Sequence, residues 1–495
     1  MIGLDAELVE VEADARGGLS RFYIVGLPDA MVQEARERVK SAVKHSGFRF
    51  PSGTVVVNLA PADVRKFGTL YDLPIAVSIA LLKVFDHHET VRDTLLAGEL
   101  ALDGGIRPIS GALSLAALAR ERGLSSIIVP KANADEAALI PDVTVYGAET
   151  LESVISHLLG SRLLTPTPHR PPTPDTDAGS YRDFRMVRGQ ESAKRALEVA
   201  AAGGHNVLMQ GPPGSGKTLL ASCYPSILPP LEPSEILEVT RIWSVAGMLD
   251  SDGAMNKRPF RSPHHTASGV SLVGGGTVPR PGEISLAHRG VLFMDEFPEF
   301  PRPVLENLRQ PLEDGTVSVT RVQQSVTYPA RFNLIAAMNP CPCGYATDPD
   351  RDCVCTPNQI ISYAKRLSGP LLDRIDLLLE VPKVPLEDLT DCTDGEASST
   401  IRGRVIRART RQLARRNETG ALTNAELSSD AIRRITTLEE GARKLLEHAV
   451  DRYKLSARAY FRTLKVALTV ADLAGVDRIA SEHVAEAVQY RQLHD

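Results

Sequence analysis

Apolar positions along this chain follow three successive patterns. Up to about residue 162, short apolar runs alternate with amphipathic stretches: TVVVNLAP (54–61) and SSIIVP (125–130) read as strands, and SLAALARERG (114–123) reads as a helix between glycines. From about 185 to 385 the alternation continues, but VLM (207–209), VLFMD (291–295) and FNLIAAMN (332–339) are nearly continuous apolar runs. Such strands are buried on both faces, as in a parallel sheet covered by helices. Between Glu313 and Arg331, TVSVTRVQQSVTYPA carries two alternating β-branched runs, which predict a hairpin with its tip near Val322, Gln323 and Gln324. Beyond about residue 400 the pattern is almost wholly helical, ending in an amphipathic stretch at 481–492.

Two polar breaks separate these regions. LLTPTPHRPPTPDTDAGS (163–180) cannot propagate a helix and has little to bury, so it reads as a linker. Residues 383–400 place Asp391, Asp394 and Glu396 among small residues. The expected organisation is an α/β domain at 1–162, a Pro/Thr-rich linker at 163–184, a second α/β domain at 185–385 and a helical lid at 386–495. An apolar fraction of 43% over 495 residues supports buried cores. The longest apolar stretch, near 73–85, is too short to span a bilayer. Early acids (Asp5, Glu7, Glu10) do not resemble a secretory leader, so a cytoplasmic protein with no membrane partner is expected.

The middle segment carries the chemistry. GPPGSGKT (211–218) follows the strand HNVLMQ and opens the helix KTLLASCY. Gly211, Gly214 and Gly216 let the backbone wrap closely around phosphate with its N–H groups pointing inward. Pro212, Pro213 and Ser215 complete this loop, Lys217 suits the β- and γ-phosphates of ATP, and Thr218 suits Mg²⁺. VLFMDE then ends an apolar strand in Asp295 and Glu296. An acid at the carboxyl end of a parallel strand beside such a loop is a Mg²⁺ partner, and Glu296 is the candidate for polarising the attacking water. A third apolar strand ends in Asn339, which can hydrogen-bond the γ-phosphate or that water.

Cys341, Cys343, Cys353 and Cys355 form two C-x-C pairs directly after this third strand, while Cys223 and Cys392 stand apart. Four thiolates can close a tetrahedral structural Zn²⁺ site, although the spacing is tighter than the usual C-x₂-C; free buried thiols and a redox pair are the alternatives. His264 and His265 form a pair without further ligands, to which no chemistry is assigned. IRGRVIRARTRQLARR (401–416) holds seven arginines and reads first as a solvated helix face.

Several longer strings carry a resemblance. VRGQESAKRALEVAAAGGHN (187–206), RPFRSPHHTASGVSLVGGG (258–276), PRPGEISLAHRGVLFMDEFPEF (279–300), LENLRQPLEDG (305–315) and ARFNLIAAMNPCPCG (330–344) are similar to the magnesium-chelatase-like group of AAA+ ATPases, and within it to the YifB/ComM family. The implied fold is α/β: an AAA+ P-loop core, a Lon-protease-like amino-terminal domain and an α-helical carboxy-terminal lid. Asn339 matches the family's sensor-1 position, Arg374 in SGPLLDRIDL its arginine finger, and Arg458 in LSARAYFRTLKVA its sensor-2 arginine, with Arg462 as the rival. A salt bridge to Asp373 or Asp376 is the plainer role for Arg374. An arginine acting on a neighbouring subunit implies a homo-oligomer, a hexameric ring.

The same resemblance places the 316–330 hairpin in the ring's pore, making Arg321 a candidate DNA phosphate contact, with Arg280 in GGGTVPRPGE (274–283) a second. A net charge of −5 gives no overall basic signature, but a ring needs positive charge only on its pore loops. With aromatic residues at 5%, DNA contacts are expected mainly on the backbone. The implied activity is ATP-dependent DNA translocation or unwinding, in branch migration during recombination of incoming DNA. A magnesium-chelatase subunit and a protein-remodelling ATPase are the alternatives. AGELALDGGIRPISGALSLAALARERGLSSIIVPKAN (97–133) resembles Lon protease, yet GTLYDLP (68–74) has no serine and SGALSLAA (110–117) no lysine where that family's dyad falls. Acyl-transfer chemistry is thereby excluded, the domain reads as a binding or assembly module, and Thr69 reads as structural.

Overall fold

The long apolar runs become neighbours in a five-stranded sheet of the computed structural model, which describes residues 1, 3–82, 91–175, 181–250, 253–276, 279–320, 325–384 and 395–491. Its strands lie in the order Phe260–Arg261, Val291–Met294, Asn333–Met338, Val207–Gln210, Leu377–Glu380. Every pairing is parallel. Val291–Met294 is buried throughout and Asn333–Met338 at all but its first residue, which is why these segments show no alternation. Burying each Val, Ile or Leu side chain stabilises by about 1.5–3 kcal/mol, and both faces contribute.

The chain divides into two compact units, Met1–Pro174 with Glu232–Asn256, and Asp175–Leu231 with Lys257–Asp495. The first contains a three-stranded sheet, with Thr54–Ala60 antiparallel to Glu10–Arg16 and parallel to Arg21–Val25. It also contains a four-stranded sheet of Thr94–Leu96, Ser126–Pro130, Thr144–Ala148 and Pro166–Thr167. Pro166–Thr167 lies inside the Pro/Thr-rich run, so part of that run is an edge strand rather than free linker. An edge is the position in a sheet where proline is tolerated.

The helix Pro233–Ala246 belongs to this first unit although it lies in sequence between the phosphate loop and Asp295. Its anchors are polar. Arg241 reaches Ser114 Oγ at 3.0 Å and Asp5 at 2.9 Å, Ser244 Oγ accepts from Gly111 N at 2.9 Å, and the Ser244 hydroxyl donates to the buried Glu136. Burial pushes the Glu136 carboxyl up, against hydrogen bonds from Ser244, Leu113 N and Asn133. Thr69 donates its hydroxyl to Glu99.

In the second unit the helices Glu191–Gly203, Ser398–Ala414 and Ala457–Ala474 pack on one another and share the core of the parallel sheet. The arginine-rich helix does more than face solvent. Arg404 binds Glu198 and Glu396, Arg411 binds Asp472 and Asp477, Arg415 reaches Asp472 at 2.6 Å, and Arg409 donates to Ala201 O at 3.1 Å. The hairpin forms as expected, Thr316–Thr320 antiparallel to Ser325–Pro329. Arg321 and Cys392 lie outside the described residues. No described helix is long and apolar enough to cross a membrane.

One buried carboxylate ties the helical region to the sheet. Asp376 precedes the strand Leu377–Glu380, accepts from Arg462 at 2.7 Å and from Asn206 N at 3.0 Å, and is nearly inaccessible. Arg462 is thus committed to the interior. Burial alone would raise the Asp376 carboxyl, but Arg462, His205 and the Asn206 N–H outweigh it and hold the group far below the usual carboxylate range. A depressed folded value stabilises fully above the unfolded carboxylate value of about 4, and the contribution is lost as pH falls through the folded value. Asp376→Asn is therefore expected to cost about 3–5 kcal/mol at pH 7, because Arg462 is left buried without its counter-charge. In denaturant titrations the difference from wild type should shrink below about pH 4; a loss under about 1 kcal/mol at pH 7 would contradict the assignment.

Candidate nucleotide site and thiol cluster

Three neighbouring strands end at one edge of the parallel sheet, and their next residues meet there. Gly211 N donates to Met338 O at 3.2 Å, so the loop leaves its strand directly beside the residue preceding Asn339. A Cβ on Gly211 would lie 2.1 Å from Val381 O, so only glycine fits between this loop and the chain leaving the neighbouring strand. Gly214 and Gly216 have φ of +80° and +91°, which turn the backbone back toward Lys217. Lys217 is the first residue of the helix Lys217–Cys223.

The predicted nucleotide residues largely converge. Thr218 Oγ1 donates to Asp295 Oδ2 at 2.9 Å, placing a hydroxyl and a carboxylate side by side. Lys217 Nζ donates to Gly211 O at 2.7 Å and Pro212 O at 2.9 Å, and lies 3.5 Å from Ser215 Oγ and 3.4 Å from Asn339 Oδ1. Burial lowers the Lys217 amine, with Asp295 opposing the shift. Glu296 follows Asp295 in a left-handed conformation, φ 51° and ψ 45°. For a non-glycine residue this costs about 1–3 kcal/mol and is retained where it aims a side chain.

That side chain is aimed at a residue the sequence left without a role. Glu296 Oε2 lies 2.9 Å from His265 Nδ1, and the His265 ring lies 4.2 Å from the His264 ring. His264 Nδ1 contacts Thr266 Oγ1 at 2.9 Å. The histidine pair was visible in the sequence, but no periodic pattern could connect it to a strand end elsewhere in the chain.

The two remaining arginines meet on one carboxylate. Arg374 binds Glu313 and donates to Pro370 O, with only 7% of its side chain exposed, and Arg458 binds the other oxygen of Glu313. The carboxylate partner of Arg374 is Glu313 rather than Asp373 or Asp376. Burial would raise the Glu313 carboxyl, but the two arginines outweigh it and hold the group below its ordinary value. Arg280 is exposed on the short strand Arg280–Pro281, opposite Gly274–Gly275.

The four cysteines form a real cluster. Cys341 Sγ lies 3.3 Å from Cys343 Sγ and 3.6 Å from Cys353 Sγ, Cys343 and Cys353 are 3.6 Å apart, and all four sulfurs fall within 4.8 Å of one another. Zn–S bonds of about 2.3 Å in a tetrahedron require sulfurs about 3.8 Å apart, so the donor set fits one zinc ion. Cys223 is buried and separate.

The His265 contact makes a specific expectation. His265→Ala should lower kcat about tenfold or more while changing the KM for ATP little, since it frees Glu296 without touching the phosphate loop. Steady-state ATP hydrolysis measures both; an unchanged kcat would leave the contact without a role in turnover.

Comparison with known proteins gives the family. The family model for magnesium chelatase, subunit ChlI, matches residues 183–389. A model for subunit ChlI of Mg-chelatase matches residues 11–133, and one for the ChlI C-terminal region matches residues 395–491. YifB of Salmonella typhimurium is 44% identical over 99% of this chain and 96% of its own length. Competence protein ComM of Haemophilus influenzae is 42% identical over the same shares. Lon protease of Azospirillum brasilense is 28% identical over 31% of this chain and 20% of its own. The chain therefore belongs to the magnesium-chelatase-like AAA+ proteins, in the family that contains YifB and ComM.

Proposed function

We propose that this protein is a hexameric, Mg²⁺-dependent ATPase that drives movement of DNA, acting in branch migration when incoming DNA recombines. The observation that carries the ATPase part is the meeting of Lys217, Thr218, Asp295 and Asn339 at one sheet edge. Lys217 neutralises the β- and γ-phosphates, and the N–H groups of residues 211–218 line the rest of the anion. Thr218 and Asp295 would hold Mg²⁺, which would supply positive charge beside the transferred phosphoryl. Glu296 takes hydrogen-bond hold of the attacking water, His265 fixes the Glu296 carboxylate, and Asn339 orients the γ-phosphate or the water.

Arg374 and Arg458 share one carboxylate, so the Glu313 cluster keeps an excess of positive charge suited to another anion. That supports reading both as nucleotide-directed arginines, Arg374 as the finger acting on a neighbouring subunit's ATP, hence a ring, and Arg458 as the sensor-2 arginine of the helical lid. The competence name of the Haemophilus relative directs the substrate toward DNA, with Arg280 and Arg321 as backbone contacts. The four thiols hold one structural Zn²⁺.

Glu296→Gln should bind ATP normally and lose turnover. Wild-type hydrolysis should rise with single-stranded or branched DNA and lose that stimulation between low and high salt, because backbone contacts release counterions. A rate indifferent to DNA at both salt concentrations would redirect the search to porphyrin or polypeptide substrates; normal turnover by Glu296→Gln would remove the catalytic assignment.

A further inference from the structure

The thiol cluster is not an independent knuckle. It grows from the loop that leaves Asn339, and that loop rests on the phosphate loop. Gly344 N donates to Cys341 O at 3.0 Å, closing a tight turn between the first two cysteines and the rest of the excursion. Gly344 has φ +89°, and a Cβ there would lie 2.7 Å from Pro213 Cγ and 2.8 Å from Pro213 Cδ. Its backbone therefore lies flat against a proline of the phosphate loop. A few residues earlier, Asn339 Oδ1 is 3.4 Å from Lys217 Nζ.

Among the described residues the excursion's other ties are mostly within itself: Arg351 donates to Tyr345 Oη at 2.9 Å and Asp348 N to Tyr345 O at 3.2 Å. Of its four cysteines only Cys341 is buried, and Val354, between the second pair, is 83% exposed. Lys383 pairs with Asp350 at 2.6 Å, but both are exposed, and such a pair contributes at most about 1 kcal/mol. The cysteines themselves sit at its two ends. Cys341 and Cys343 adjoin the strand bearing Asn339, whereas Cys355 adjoins Thr356, which caps the helix Pro357–Ala364 in a reciprocal capping box with Gln359. A cation bound by all four would staple strand end to helix start, and its binding energy would become ordering energy for the loop.

We infer that the cation bound by Cys341, Cys343, Cys353 and Cys355 clamps the Gly344 turn against Pro213 and sets Asn339 beside Lys217, so that metal occupancy governs ATP binding and turnover. This rests on the assignment of zinc to the four thiols. The cation takes no part in hydrolysis; it acts through the position of the phosphate loop, where a displacement of about 1 Å can cost about a hundredfold in rate.

The test uses the full-length protein purified without chelator, zinc content by elemental mass spectrometry, affinity for a fluorescent ATP analogue, and thermal unfolding. Wild type should carry one zinc per chain. The double variant Cys353→Ser/Cys355→Ser, altered at the end remote from Asn339, should lose zinc and bind the analogue about tenfold or more weakly. Gly344→Ala keeps all four thiols but drives a methyl group into Pro213; it should retain zinc, unfold near the wild-type temperature and still lose about tenfold in affinity and turnover. Wild-type protein lacking zinc would end the zinc assignment and the clamp with it. Zinc-bound wild type, together with Gly344→Ala or zinc-free protein that binds the analogue normally, would leave the metal site standing and overturn the clamp. Failure of wild type to bind the analogue at all would instead remove the ATPase reading.

Discussion

Parallel hydrogen bonding places Gln210 opposite Met338 and Met294 opposite Ala336, and the whole nucleotide site depends on that register. Because the three strands run in one direction, Gly211, Asp295 and Asn339 emerge on the same edge. A slip of one residue in any pair would exchange the two buried faces of that strand and carry the functional side chain to the wrong side. The cores on both faces of the sheet therefore protect the chemistry as well as the fold. Gly211 shows how little tolerance remains, since the chain leaving the strand Leu377–Glu380 passes within contact of its backbone.

Charge pairing performs the next level of organisation. Asp376 is buried against Arg462, and Asp472 collects Arg411 and Arg415, so helices far apart in sequence are tied by carboxylates that could not be left alone in the interior. Such pairs need not exceed well-packed apolar residues in net stabilisation, but losing one partner is costly, which makes their geometry specific. Glu313 follows a different logic. It is partly exposed, it is shared by Arg374 and Arg458, and it leaves positive charge over. The arginines of this chain are accordingly divided between structural ties and a site with spare capacity for an anion.

Strain and close contact mark the functional edge. Glu296 occupies a left-handed conformation with its carboxylate on His265, and Gly344 is pressed against Pro213. Both features position a group next to the phosphate loop, one from the loop following Phe260–Arg261 and one from the cysteine-bearing excursion. The first unit, by contrast, engages Thr69 with Glu99 and uses buried polar contacts around Glu136 to hold the helix Pro233–Ala246.

Local chemistry makes much of this legible in the sequence alone. Unbroken apolar runs can be satisfied only by burial on both faces, so the parallel strands could be read directly, and a glycine-rich loop ending in Lys217 and Thr218 carries its phosphate chemistry in consecutive residues. The hairpin at 316–329 and the clustering of four cysteines were likewise local patterns. Only the tertiary structure decided which distant groups meet: His265 with Glu296, Arg374 and Arg458 on Glu313, Arg462 on Asp376, and Pro233–Ala246 in the first unit. The physical reason is the same in each case. Hydrophobic periodicity and loop chemistry act over a few residues, whereas the pairing of a buried charge or a strained carboxylate depends on where the folded chain brings its partner.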